Sequence, residues 1–185
     1  MSLPGESLIR KPHSLDDVEW NSLVEFGGFP EPFTRRNRRY YGFTVRPWTR
    51  NVENGIRKTP KWYMRDWSAT ADFGKRCETI TACHLLKAVE AWSDLGYGRF
   101  ELFYLRDKQK REVDFLVSRD GVAWFIAEVN ASDTHLSPCL SYYQRATGAR
   151  HAFQIVFGED FIDADCFTRT NPVVVPARTF LSQLI

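Results

Sequence analysis

The sequence of 185 residues lacks several features that identify common classes of protein. It contains no GxxxxGK[ST] segment, which excludes ATP binding through a P-loop and predicts no ATPase activity. Its four cysteines form no CxxC pair, so we expect free thiols in a reducing compartment. It has neither an apolar leader nor a run of roughly 20 apolar residues, so we expect a cytoplasmic chain without a membrane partner.

The composition is that of a globular protein, with 43% hydrophobic and 26% charged residues. A formal net charge of +2 is too small to predict a polyanionic partner by itself. Basic residues nevertheless cluster in two places, at residues 35–39 and at residues 106–111. Two interpretations of these clusters stay open, which are solvated loops and contacts with phosphate groups.

From residue 74 onward the hydrophobic pattern predicts the order α-β-β-β-α-β. The first helix, over residues 74–94, has an apolar arc too wide for a surface helix. The second helix starts after Ser137, with Pro138 at its first position, and ends at Gly148. The predicted strands are residues 100–105, 112–118, 122–130 and 152–157. A helical crossover to a parallel strand predicts an α/β fold with a mixed sheet flanked by helices.

The region before this core is less regular. Residues 40–45 and 62–64 are possible strands, and Asn54-Gly55 between them is a hairpin signal. We therefore expect two parts, an N-terminal appendage of residues 1–71 and a domain of residues 72–185.

Several acidic residues lie in the segment EVDFLVSRDGVAWFIAEVN, residues 112–130. A three-residue loop, Arg119-Asp120-Gly121, would pair Ser118 with Val122. Because side chains alternate along a strand, this register predicts one shared face for Glu112, Asp114, Glu128 and Asn130, with Lys110 opposite Asn130. A two-residue loop would instead separate Asp114 from Glu128.

Like charges on one face of a sheet repel each other, so such a cluster indicates a bound cation or a carboxyl group with a raised pKa. The alternative is that one carboxylate pairs with Arg106 or Lys110 while the others are solvated. Tyr142, Tyr143 and Gln144 on the second helix present a similar choice, because they suit either a nucleic-acid groove or ordinary packing.

Five blocks of sequence, in order, resemble the uncharacterised C-terminal domain of prokaryotic AAA-like P-loop ATPases, which is similar to PD-(D/E)XK nucleases. The blocks are GGFPEPF (27–33), KTPKWYMRDWS (58–68), GKRCETITACHLLKAV (74–89), YLRDKQKREVDFLV (104–117) and FIAEVN (125–130). The resemblance implies a PD-(D/E)XK-like core and covers most of the chain from about Gly27.

The resemblance also implies roles for individual residues. Glu78, Asp114 and Glu128 match the acidic positions that hold Mg²⁺ in active nucleases, where the metal polarises the phosphate and activates water. Asn130 matches the catalytic lysine of that site. An amide orients water but carries no positive charge, so this departure predicts weaker stabilisation of the transition state. Lys110 is a candidate substitute for the missing lysine.

Two functions follow from the resemblance. The first is a degenerate nuclease-like accessory module that binds DNA, a protein partner or a second copy of itself. The second is an active Mg²⁺-dependent DNA endonuclease. Asn130 and the missing ATPase favour the first function.

Overall fold

Between residues 73 and 156 the helices and strands follow the order that the sequence predicts. The α-helices are α1 (Asp17–Phe26), α2 (Phe73–Asp94), α3 (Pro138–Thr147) and α4 (Ala177–Ser182). The strands are β1 (Gly42–Pro47), β2 (Lys61–Met64), β3 (Phe100–Arg106), β4 (Glu112–Arg119), β5 (Val122–Asn130), β6 (His151–Val156) and β7 (Val173–Pro176).

The computed structural model describes residues 9, 11–26, 42–49 and 59–184. The GGFPEPF block, the basic cluster at residues 35–39 and the Asn54-Gly55 signal lie outside the described residues.

The seven strands form one mixed sheet in the order β2-β1-β3-β4-β5-β6-β7. The pairs β1–β3, β5–β6 and β6–β7 are parallel, and the pairs β1–β2, β3–β4 and β4–β5 are antiparallel. The predicted α/β class and mixed sheet are therefore confirmed. The boundary that we predict at residue 71 stays a prediction, and β1 and β2 on its N-terminal side join this same sheet.

The sheet has a hydrophobic core on each face. The larger core packs α1, α2 and α4 against one face and contains Trp20, Trp92, Phe125, Phe153 and Phe180. The smaller core packs α3 against the other face and contains Leu140, Tyr143, Leu116 and Ile126. Among the described residues, no helix combines the length and hydropathy that a membrane span requires.

The ends of the two long helices show why the chain forms them there. Asp72 precedes α2 and its carboxylate accepts a hydrogen bond from the backbone N–H of Lys75. Ser137 caps α3 in the same way through the N–H of Cys139, and Pro138 follows it. Gly148 ends α3 with a positive φ of 71°, as the sequence predicts.

The connection between β4 and β5 differs from the prediction. Arg119 pairs with Val122, so the turn has two residues, Asp120 and Gly121, with φ values of 52° and 78°. Two positive φ values define the type I′ turn, whose twist matches that of the strands. The predicted three-residue loop is therefore wrong.

Two β-bulges then decide which face each residue of the hairpin occupies. In the first, Trp124 is an extra residue in β5, and below it Leu116 pairs with Ile126. In the second, Phe103 pairs with Leu116 but Leu105 pairs with Val113. Two residues of β4, Asp114 and Phe115, therefore lie opposite the single residue Tyr104 of β3. Asp114 and Phe115 consequently both lie on the α2 face.

We predict that Gly121→Ala lowers the free energy of unfolding by about 1 kcal/mol, because alanine is strained at a φ of 78°. Urea denaturation followed by circular dichroism measures the change. Gly74→Ala is the matched control, since Gly74 lies in the first turn of α2 with only an ordinary contact of 3.4 Å to Asp72. A Gly121→Ala variant as stable as the wild type would contradict the type I′ turn.

Candidate functional site

The ammonium group of Lys61 lies among three carboxylates at one end of the sheet. Lys61 Nζ is 2.6 Å from Glu112 Oε1, 3.1 Å from Glu78 Oε1 and 3.4 Å from Asp114 Oδ1. We call these four residues the Lys61 cluster. Their side chains are between 18% and 27% exposed, so the charges are mostly withdrawn from solvent.

Three different elements supply the Lys61 cluster. Lys61 is the first residue of the edge strand β2, and Glu78 lies in the second turn of α2. Glu112 is the first residue of β4, and the bulge in β4 turns Asp114 toward α2. The cluster therefore joins parts of the chain that are up to 53 residues apart.

Further hydrogen bonds hold each carboxylate in place. The Tyr63 hydroxyl donates to Glu78 Oε1 over 2.6 Å. The backbone N–H of Val129 donates to Asp114 Oδ2 over 3.0 Å. Arg106 Nη1 lies 3.0 Å from the second oxygen of Glu112. One part of the alternative interpretation is thus confirmed, since Glu112 pairs with Arg106, but the other two acids are not simply solvated.

The crowding of these groups changes their acidity. Burial raises the pKa of Asp114 to about 7, and the nearby charge of Glu78 adds to this shift against the opposing effect of Lys61. Burial lowers the pKa of Lys61, but the carboxylates of Asp114, Glu78 and Glu112 outweigh it and raise that pKa above its ordinary value. Lys61 therefore stays protonated, while Asp114 titrates near neutral pH.

Glu128 is not part of the Lys61 cluster. It follows Ile126 in alternation along β5, and Ile126 packs in the core beside α3. Its carboxylate accepts a hydrogen bond from the Ser137 side chain, and it pairs in register with Gln154 of β6. Burial raises the pKa of Glu128, and its Oε2 is buried without a hydrogen-bond partner among the described residues. The register contradicts the prediction that Asp114 and Glu128 share a face, because the bulge in β4 reverses Asp114. The two carboxylates still interact, since the charge of Glu128 raises the pKa of Asp114.

Gln154 organises the surroundings of Glu128. Its amide nitrogen donates to the carbonyl oxygens of Asp133 and His135, and its amide oxygen accepts from the N–H of Ser137. These bonds fix the loop that leads from β5 into α3. Gln154 is fully buried in a strand that is otherwise mostly apolar, which is the signal in the sequence that would have indicated its role.

Asn130 ends β5 and, two residues after Glu128, belongs to the same face of the strand. Lys110 does not lie opposite it. Lys110 is exposed in the turn between β3 and β4, with a φ of 65°, and β4 begins only at Glu112. Among the described lysines, the one that contacts the acids is instead Lys61. It belongs to β2, whose position the register of the β4–β5 hairpin does not predict.

A lysine side chain occupies the space between the three carboxylates of the Lys61 cluster. Among the described residues, no group of three or more His, Cys, Asp or Glu side chains is arranged to hold a metal ion. The space between Glu78, Glu112 and Asp114 is where Lys61 Nζ lies, and Glu128 extends toward Ser137 on the other face.

The basic cluster at residues 106–111 and the helix α3 have mainly structural contacts. Arg111 pairs with the fully buried Asp107 over 2.6 Å and lies 3.7 Å from the centre of the Tyr142 ring. Tyr143 is buried and its hydroxyl donates to the carbonyl oxygen of Arg111, while Gln144 donates to that of Thr170. Packing is thus the observed role of Tyr143, whereas Lys108 and Lys110 are exposed.

We predict that stability falls as pH rises from about 4 to about 7. The folded chain holds the Asp114 proton more tightly than the unfolded chain, whose Asp pKa is near 3.8, so this group favours folding at low pH and loses that effect on ionising. Asp114→Asn keeps an oxygen for the Val129 N–H and removes the titration. Its free energy of unfolding, relative to wild type, should rise by at least ~1 kcal/mol between pH 5 and pH 8.

Urea denaturation at the two pH values measures this difference. Asp133→Asn is the control, because Asp133 is exposed and outside the cluster and its pKa is lowered by hydrogen bonds from His135. If wild type and Asp114→Asn show the same dependence on pH, Asp114 does not titrate in this range.

Comparisons of the chain with protein-family models, with curated proteins and with solved structures found no significant match. The resemblance to the ATPase-associated domain therefore stays a prediction from the sequence.

Proposed function

We propose that this chain is a PD-(D/E)XK nuclease-like module that binds DNA and is impaired in metal-dependent cleavage. The observation that carries the proposal is the Lys61 cluster, in which an ammonium group lies where the carboxylates of a nuclease would need a metal ion. We further propose that the module serves an ATPase-associated system as an accessory, as the resemblance implies.

The order of elements supports the nuclease-like part of the proposal. The chain runs α2, β3, β4, β5, α3, β6, which is the predicted α-β-β-β-α-β order. Glu78 and Asp114, two of the three acids that the resemblance assigns, lie on the same Lys61 Nζ. Two further departures support impaired cleavage, which are Asn130 at the lysine position and the separation of Glu128 from Asp114.

The exposed turn between β3 and β4 supports DNA as the partner. Lys108 and Lys110 are exposed there, and the turn leads directly into Glu112 of the Lys61 cluster. Because both side chains are exposed, their ammonium groups are able to contact a phosphate backbone. Such contacts supply most of the affinity of non-specific DNA binding. Arg106 and Arg111 are less suited to this role, because they pair with Glu112 and Asp107.

We predict that replacing Lys108 and Lys110 together by alanine weakens DNA binding by about tenfold. The slope of the logarithm of the binding constant against the logarithm of the salt concentration should fall by about two, because two phosphate contacts are lost. Fluorescence anisotropy with labelled single- and double-stranded DNA over a series of salt concentrations measures both effects. Lys87→Ala is the matched control, because Lys87 is exposed on α2 roughly 13 Å along the helix from Glu78.

If wild type does not bind either DNA, the module binds a protein partner or a second copy instead, and the DNA proposal fails. If Lys87→Ala weakens binding as much as the double variant, the turn is not the binding surface.

We predict that neither wild type nor Asn130→Lys cleaves DNA in Mg²⁺ or Mn²⁺. A lysine at residue 130 would lie on the Glu128 face and not beside Asp114, so restoring the residue does not restore the site. A gel assay on supercoiled and linear DNA measures cleavage. Cleavage by Asn130→Lys alone would show that Asn130 is the only defect, and our account of the two faces would then be wrong.

An active endonuclease is the second candidate, and Lys61 is the observation that favours it. Its amino group lies 3.4 Å from Asp114 and 3.1 Å from Glu78, so it is placed to supply the positive charge that Asn130 lacks. This candidate requires wild type to cleave DNA and Lys61→Met to lose the cleavage. Our proposal requires no cleavage by either protein.

A further inference from the structure

We infer that Lys61 is a built-in cation that takes the place of a divalent metal ion, so that the cluster is complete without one. The inference rests on the proposed function, because that function supplies the comparison with a metal-dependent nuclease. Beyond that function, it assigns Lys61 the specific task of excluding metal.

The hydrogen-bonding capacity of the ammonium group matches its surroundings. A lysine ammonium has three N–H donors and no acceptor. Lys61 Nζ has three carboxylates around it, and each presents one oxygen within 3.4 Å. A metal ion bound at the usual 2.0–2.6 Å from the same oxygens would occupy the space that Nζ fills. The two cations therefore exclude each other.

Lys61 is also held where it is. Its backbone pairs with Val45 of β1, and the Tyr104 ring centre lies 5.4 Å from Nζ. A cation over an aromatic face is attracted by the ring. A metal that displaced the ammonium would have to break three charged hydrogen bonds and this ring contact at once.

The charges explain why this lysine, and not the neighbouring arginine, is the substitute. Arg106 reaches only the outer oxygen Oε2 of Glu112, whereas Lys61 reaches all three acids. Without Lys61, Glu78 and Asp114 would lie mostly buried with no basic partner among the described residues. Mostly buried carboxylates without a counter-charge are costly, so the vacated space should attract another cation.

Mn²⁺ binding to the full chain tests the inference. We would titrate Mn²⁺ into wild type, Lys61→Met and Arg106→Met, and would follow free Mn²⁺ by electron paramagnetic resonance. We expect no specific site in wild type or Arg106→Met. We expect one site in Lys61→Met that binds Mn²⁺ at least about tenfold more tightly than wild type does, because its carboxylates have lost their counter-charge. Lys61→Met/Asp114→Asn should lose this site.

Two outcomes overturn the inference. The first is wild type that binds Mn²⁺ as tightly as Lys61→Met, and the second is folded Lys61→Met that gains no site. If Lys61→Met does not fold, Lys61→Gln replaces it, because glutamine keeps a hydrogen-bond donor without the charge. Circular dichroism checks the fold of each variant, and thermal unfolding should show Mn²⁺ raising the Tm of the Lys61 variant only.

The DNA experiments are separate from this titration. Cleavage by wild type would reject the proposed function whatever the titration shows. A wild type that neither cleaves DNA nor differs from Lys61→Met in Mn²⁺ binding would reject the inference alone.

Discussion

The ammonium of Lys61 among three carboxylates is the interaction on which the organisation of one end of the sheet depends. It connects the edge strand β2, the helix α2 and the strand β4 through contacts of 2.6 to 3.4 Å. Acids gathered on one partly buried surface repel each other, and each loses hydration. Lys61 and Arg106 offset both effects, and Tyr63 and the Val129 N–H complete the hydrogen bonding. These contacts therefore offset the repulsion among the acids of the Lys61 cluster.

The two bulges of the β4–β5 hairpin determine which acids meet. The extra residue Trp124 turns both itself and Phe125 toward the larger core, where Trp124 packs edge-on against Trp92 at 5.3 Å. The extra step at Asp114 and Phe115 turns Asp114 toward α2 while Glu128 stays on the α3 side. A change of one residue in register reverses a side chain, so small irregularities have large effects on a site.

These observations separate the fold from the chemistry. A fold accommodates many functions, and function follows from the particular groups at the site. Here the acids are present, yet their geometry is that of an ion-pair cluster with a lysine at its centre. Glu128, which the resemblance would place beside Asp114, is instead held by Ser137 next to the loop that Gln154 organises. This arrangement is the physical reason for proposing binding without cleavage.

Much of the fold was predictable from local pattern. The wide apolar arc of α2 and the Ser137-Pro138 start and Gly148 end of α3 are properties of short segments, and the structure agrees with them. The turn was not predictable in the same way. Asp120-Gly121 suits both a two-residue and a three-residue connection, and the choice depends on the twist and packing of both strands.

The candidate site was predictable only as a set of residue types. The sequence by itself determined that Glu78, Glu112, Asp114 and Glu128 are acids on a helix and two strands, and its resemblance to the ATPase-associated domain predicts that Asn130 stands at the position of a lysine. Only the tertiary structure decided that Asp114 joins Glu78 and that Lys61, 53 residues before Asp114, lies between them. The reason is that bulges and the pairing of an edge strand arise from long-range packing, which local periodicity does not encode.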